Sequence, residues 1–194
     1  MDLSLVLASC LISLVGLPHG ALDPMVATRY GLIRDLPSSV WFLTIYSAIV
    51  GLVIGFWLLL PSLALVLFLL ISSLHFGRDW KYKISFGGFG YGAFVLGLPA
   101  WTFPEQVEQI FGFLIFENSA PIPTVLLQTL GLIGGFMLLA DRKKLSILRL
   151  AELSALALVA FALEPLWYFV IYFCGFQQLI IEIKFINIFK FFFN

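Results

Sequence analysis

Long apolar runs punctuated by proline dominate this chain, and they restrict its fold more than any other feature. A bilayer core of about 30 Å calls for roughly 20 apolar residues per helix. Runs near that length cover residues 3–21, 39–60, 62–77, 84–103, 121–140, 146–163 and 165–181. Pro24 and Pro37 bracket the first loop, Pro61 divides the second run from the third, and Glu164-Pro165 interrupts the last apolar stretch. Proline disfavours helix at the residue before it, so each is a natural boundary. Pro104 and the Pro121/Pro123 pair flank a shorter segment, 105–117, that reads as lying in the membrane interface. The expectation is an all-α fold: a polytopic membrane helix bundle of about six to seven transmembrane helices.

Charge supports this and excludes other classes. Only 11% of residues are charged, against about 25% in a soluble domain. Formal net charge is zero, so there is no basic face for nucleic acid. Cys10 and Cys174 both lie in apolar runs and imply no disulfide framework. Met1-Asp2 is not a basic leader, and no small-residue cleavage site follows, so residues 3–21 read as a retained first span.

The loops carry an orientation. Arg29 and Arg34 lie in the first, Arg78, Lys81 and Lys83 in the third, and Arg142, Lys143, Lys144 and Arg149 at the fifth. The second loop has no Lys or Arg, and the fourth has only Glu105, Glu108 and Glu117. By the positive-inside rule the odd loops face the cytoplasm and the N-terminus faces out. The expected location is the cell (inner) membrane, with the lipid bilayer as the surrounding partner.

The chain has two histidines. His19 lies near the end of the first run and His75 near the end of the third, and both runs travel inward. Asp23 and Asp79 each follow their histidine by four residues, one helical turn on the same face. Two such helices could present matched His/Asp pairs at one depth. Polar groups at membrane depth are costly and mark functional sites. Imidazole ligates Fe, Zn and Cu, and a ligating His usually donates its other N–H to a carboxylate or carbonyl. Asp23 and Asp79 are the candidates for that supporting role. The competing reading is that each histidine caps a helix end at the interface and each aspartate sits in headgroup water. The stretch Gly87-Gly88-Phe89-Gly90-Tyr91-Gly92 lies inside a span and lacks Lys, so it reads as a close-packing face rather than a phosphate loop.

Gly16-Leu17-Pro18-His19-Gly20-Ala21-Leu22-Asp23 and Ser73-Leu74-His75-Phe76-Gly77-Arg78-Asp79 resemble the first two signature motifs of the Brp/Blh family of membrane β-carotene 15,15'-dioxygenases. Tyr172-Phe173-Cys174 resembles the opening of a third, which in the family continues towards W-H-S-x-R-H. The resemblance covers residues 1–176, leaving 177–194 as a divergent hydrophobic tail. It implies a helical membrane enzyme with non-haem Fe(2+) on four histidines, using O2 to split β-carotene at its central double bond into two molecules of retinal. Under it, His19 and His75 would be catalytic iron ligands, and a microbial rhodopsin would be a natural consumer of the product.

The third motif departs from the pattern. Gln177 and Ile181 stand where the resemblance expects the remaining two histidines. The tail from Ile180 to Asn194 is almost wholly Ile, Phe, Lys and Asn, with Glu182 the exception. A reading-frame change near residue 177, truncating the family pattern, would account for this; the competing reading is a natural divergent family member with a genuine hydrophobic tail. Loss of one base from Gln-Gln codons CAACAG restores His-Ser, though not the later Arg-His. The expectation is impaired activity. The alternatives are an inactive carotenoid or retinal binder, and a small multi-span transporter using His/Asp pairs. A transporter predicts polar residues throughout the span midplanes. Here these are mainly Gln128 and Glu152, with Arg149 one turn from the glutamate.

Overall fold

The computed structural model describes residues 7, 10–11, 23–80, 86–142 and 145–172, leaving aside the side chains of 79, 80, 86 and 87. Among these residues the regular structure is helical, with no strand. The helices are α1 (Asp23–Arg29), α2 (Leu36–Leu59), α3 (Pro61–Trp80), α4 (Phe86–Thr102), α5 (Pro104–Ile115), α6 (Pro121–Ala140), α7 (Ile147–Ala162) and α8 (Pro165–Ile171). The protein is an all-α membrane helix bundle, and α2, α3 and α6 contain segments long and apolar enough to cross a bilayer. The first predicted span lies outside the described residues except for Leu7, Cys10 and Leu11, which are helical. The predicted interfacial segment is α5, whose buried residues Val107, Phe111, Gly112 and Ile115 recur at helical spacing. Glu105 is exposed at its start.

Two boundaries differ from the sequence reading. The first loop is not irregular, because α1 occupies it. Pro24 sits in the first turn, where its missing N–H leaves no bond unmade. Gly31, at φ 72°, closes the helix; Leu32 N–H donates to Ala27 O and Gly31 N–H to Thr28 O, each at 2.9 Å. Then α2 begins at Leu36 because Asp35 caps it. The Asp35 carboxylate accepts from Ser38 N–H at 2.9 Å, and Ser38 Oγ accepts from Asp35 N–H at 3.0 Å. The Ser38 hydrogen bonds hold the Asp35 carboxyl below the usual carboxylate range. A depressed folded-state pKa contributes stability above the unfolded-state value, and this is lost as pH falls through the folded one. Asp35→Ala should therefore lower the thermal midpoint in detergent at pH 7. The gap from the native chain should narrow below about pH 4, as read in paired melting curves.

The chain divides into two compact units, Met1–Ala64 and Leu65–Asn194. In the first, α2 buries none of its residues, as suits a helix whose apolar surface meets acyl chains. In the second, α4 is the central helix and packs most extensively on α6. Glycine makes both of its main contacts. A Cβ at Gly92 would strike the Ser73 carbonyl oxygen of α3, and one at Gly77 would strike that of Gly88. On the α6 side, a Cβ at Gly97 would come within 2.5 Å of Gly131 Cα, and one at Gly134 within 2.5 Å of Gly90 O. The Gly-rich stretch is thus a close-packing face, and α3 and α6 both run antiparallel to α4.

Proline inside and beside helices leaves carbonyls without their i+4 donors. In a bilayer, neighbouring side chains must satisfy them. Pro99 lies within α4, so Val95 O lacks its donor; the Tyr168 hydroxyl of α8 donates to it at 2.8 Å. Pro104 likewise cannot serve Ala100 O, and Gln128 Nε2 of α6 donates there at 2.9 Å. The mid-span glutamine therefore answers a backbone need. Glu164-Pro165 is a true turn. Leu163 (φ −127°, ψ 147°) and Glu164 (φ −58°, ψ 153°) are both extended between α7 and α8.

Candidate functional site

His75 sits near the C-terminal end of α3. Leu65, Leu69, Ser72, Ser73, Phe76 and Gly77 form the buried stripe of this helix at i, i+3, i+4 spacing. His75 falls outside the stripe and is exposed. Its ring lies 5.8 Å from that of Phe76 at a 59° tilt. Phe76 in turn meets the edge of Tyr172 at 5.3 Å and 74°. Tyr172 is 2% exposed and opens the third motif-like segment. The turn at Glu164-Pro165 makes this possible, because it returns α8 antiparallel to α4, with Tyr168 opposite Val95. The second and third motif regions therefore lie side by side.

Asp79 lies one turn beyond His75 on the same continuous helix, as the spacing predicts, and its side chain is outside the described residues. His19, Gln177 and Ile181 are also outside them. Asp23 is the first residue of α1, half-buried, and its Oδ2 accepts a hydrogen bond from the Tyr46 hydroxyl of α2 at 3.0 Å. Tyr46 lies twenty-three positions away, and no spacing in the sequence signals this contact. Among the described residues no three His, Cys, Asp or Glu side chains converge on one point.

A second polar cluster joins α4 to α7. The Tyr91 hydroxyl donates to Glu152 Oε1 at 2.6 Å, and Arg149 Nη1 donates to Glu152 Oε2 at 2.7 Å. Tyr91 is 3% exposed. The Arg149–Glu152 pair predicted from the i, i+3 spacing is present, and Arg149 belongs to α7 rather than to the loop before it. Sequence reasoning missed Tyr91. The available signal was a hydroxyl-bearing ring in a glycine run, in a bundle where the part-buried acid Glu152 on another helix needs a donor. On another face of α4, Phe94, Leu98 and Trp101 with Leu132 and Phe136 of α6 line an apolar cleft of about 260 Å³.

Comparison with known proteins follows this geometry. The family model described as "Beta-carotene 15,15'-dioxygenase" matches residues 10–177. The chain belongs to that family. A relative with the same name, from uncultured marine bacterium 66A03, is 32% identical to this dioxygenase-family chain over 92 residues. That match covers 42% of this chain and 34% of the relative, so it spans about a third of the relative's length. No solved structure matches this family member.

A family member of this kind raises the question of iron. With two histidines in the whole chain, the imidazole set is half of the four that the motif pattern implies. A triad of two histidines and one carboxylate would need Asp23, which already holds the Tyr46 hydroxyl, or Asp79 as its third ligand. Gln177 offers a weak carbonyl donor and Ile181 offers none. The residues present do not complete a four-histidine iron site.

Proposed function

We propose that this chain is built on the scaffold that cleaves β-carotene at its 15,15' double bond with O2 to give two molecules of retinal, and that it is impaired in doing so. The observation that carries this reading is the Phe76–Tyr172 ring contact. It supports convergence of the second and third motif regions at one end of the second unit. His19 and His75 would be the iron ligands, and Asp23 and Asp79 would orient them. The impairment follows from Gln177 and Ile181 occupying the remaining ligand positions. The basic loops support an orientation in the inner membrane with the N-terminus outside. Retinal made by an intact site would pass to a protein that uses it, such as a microbial rhodopsin.

The test is expression in a β-carotene-producing bacterium with retinal quantified by chromatography. The expected yield is at or near background and is unchanged by His19→Ala or His75→Ala. Robust retinal formation abolished by His19→Ala would overturn the impairment and point to Gln177 or an aspartate as a ligand. The reading-frame proposal has its own test at the locus. An unbroken frame past codon 176, with no histidine codons downstream in any frame, sinks it. A second reading, an inactive carotenoid or retinal binder, draws support from the apolar cleft between α4 and α6. Co-purification of carotenoid without cleavage would favour it.

A further inference from the structure

The buried polar side chains of the second unit divide by what they answer. Ser73 and Thr124 return hydrogen bonds to carbonyls one turn earlier on their own helices, Leu69 O and Ala120 O. Tyr168 and Gln128 serve carbonyls that prolines deprive of donors. The Tyr91–Glu152–Arg149 cluster is of another kind. It joins two helices side chain to side chain, and it places a carboxylate where burial is costly unless both oxygens are paired. Both are paired, at 2.6 and 2.7 Å.

Its place in the fold says what it holds. Tyr91 lies in the turn of α4 between Gly88 and Gly92. Those two glycines touch the backbone of α3 at Gly77 and Ser73. His75 lies between Ser73 and Gly77. The turn of α4 that Glu152 grips through the phenol is therefore the turn against which the His75 segment is seated. With no side chain at either glycine, that seat is backbone against backbone. A small axial or rotational shift of α4 passes directly into α3, because close-packed interiors transmit displacement rather than absorb it. Arg149, 31% exposed at the start of α7, anchors the other carboxylate oxygen and fixes the direction in which Glu152 points.

We propose that Glu152 is a positioning residue for the His75 segment, acting through Tyr91, with Arg149 fixing its carboxylate. The proposal rests on the reading of His75 as part of the cleaving centre. Its test does not depend on cleavage. The chain holds only two histidines, so ring-13C-histidine labelling in detergent gives two imidazole signals, assigned by His75→Asn. Tyr91→Phe, which removes the hydroxyl and keeps the ring, should displace the His75 signal and leave that of His19 in place. Glu152→Leu should do the same. Glu152→Gln keeps one carbonyl acceptor, which the phenol and Arg149 must share, and should displace the His75 signal less than Glu152→Leu. Gln128→Leu breaks a hydrogen bond between α6 and α4 distant from the His75 turn. It should lower the thermal midpoint without moving His75. If Glu152→Leu fails to fold, Tyr91→Phe carries the test alone. A His75 signal indifferent to Tyr91→Phe, or moved as much by Gln128→Leu, overturns the proposal. Failure to form retinal in any variant bears on the dioxygenase reading and leaves this result standing.

Discussion

Gln177→His combined with Ile181→His should raise retinal formation at least about tenfold above that of the unaltered chain in a β-carotene-producing host. The reasoning is a ligand count. The unaltered chain offers two imidazoles, His19 and His75, half of the four that the motif pattern implies. The double variant brings the number of imidazoles to four, two of them on the segment that follows Tyr172. The Phe76–Tyr172 contact places Tyr172 beside the helix of His75. Each single variant should give an intermediate result, Gln177→His the larger because that position lies nearer the anchored Tyr172. Bound iron, measured on purified protein, should rise towards about one per chain in the double variant. Adding His75→Ala should remove both gains. If the double variant inserts into the membrane normally yet forms no more retinal than the unaltered chain, then either the third motif is not where the alignment of strings places it or the tail cannot reach the site.

The sequence carried some of this structure openly and hid the rest for identifiable reasons. Apolar run length and proline spacing were enough for the helical class and for a break at Glu164-Pro165, because both follow from local backbone chemistry; whether that break is a turn or a kink depended on the packing of α8. The glycine stretch around Gly90 was legible as a packing face, since small residues in a span have few other uses. The start of α2 was misplaced by three residues, because a polar cap such as Asp35 extends a helix beyond its apolar run. The Arg149–Glu152 pair was legible because i, i+3 spacing is local. Tyr91–Glu152, Tyr46–Asp23 and Tyr168–Val95 were not, being contacts across 61, 23 and 73 residues that only the packing creates. Gln128 was noticed as a mid-span polar residue, but its role depended on a missing donor at Pro104 twenty-four positions away. Membrane bundles hide their polar logic in this way. Gln128, a side chain that looks functional in the sequence, serves a carbonyl that Pro104 leaves without its donor.

That pairing yields a sharper stability prediction. Tyr168→Phe should destabilise the bundle by about 1–3 kcal/mol, because it leaves Val95 O buried without a donor. The loss of ring packing is small, since phenylalanine fills nearly the same space in a position that is 0% exposed. The cause can be separated from the substitution itself. Pro99→Ala supplies a backbone N–H one turn after Val95 and lets α4 satisfy its own carbonyl. In the Pro99→Ala background, Tyr168→Phe should therefore cost much less than in the native chain. The coupling between the two positions should approach the full single-mutant effect. Thermal or denaturant unfolding in detergent of the two single variants and the double variant measures it. Additive effects would mean that the 2.8 Å hydroxyl contact is incidental and that the kinked helix meets its backbone requirement in another way. Strong coupling would mean that the tyrosine of α8 and the proline of α4 act as one structural unit, holding α8 in the place that brings Tyr172 to Phe76.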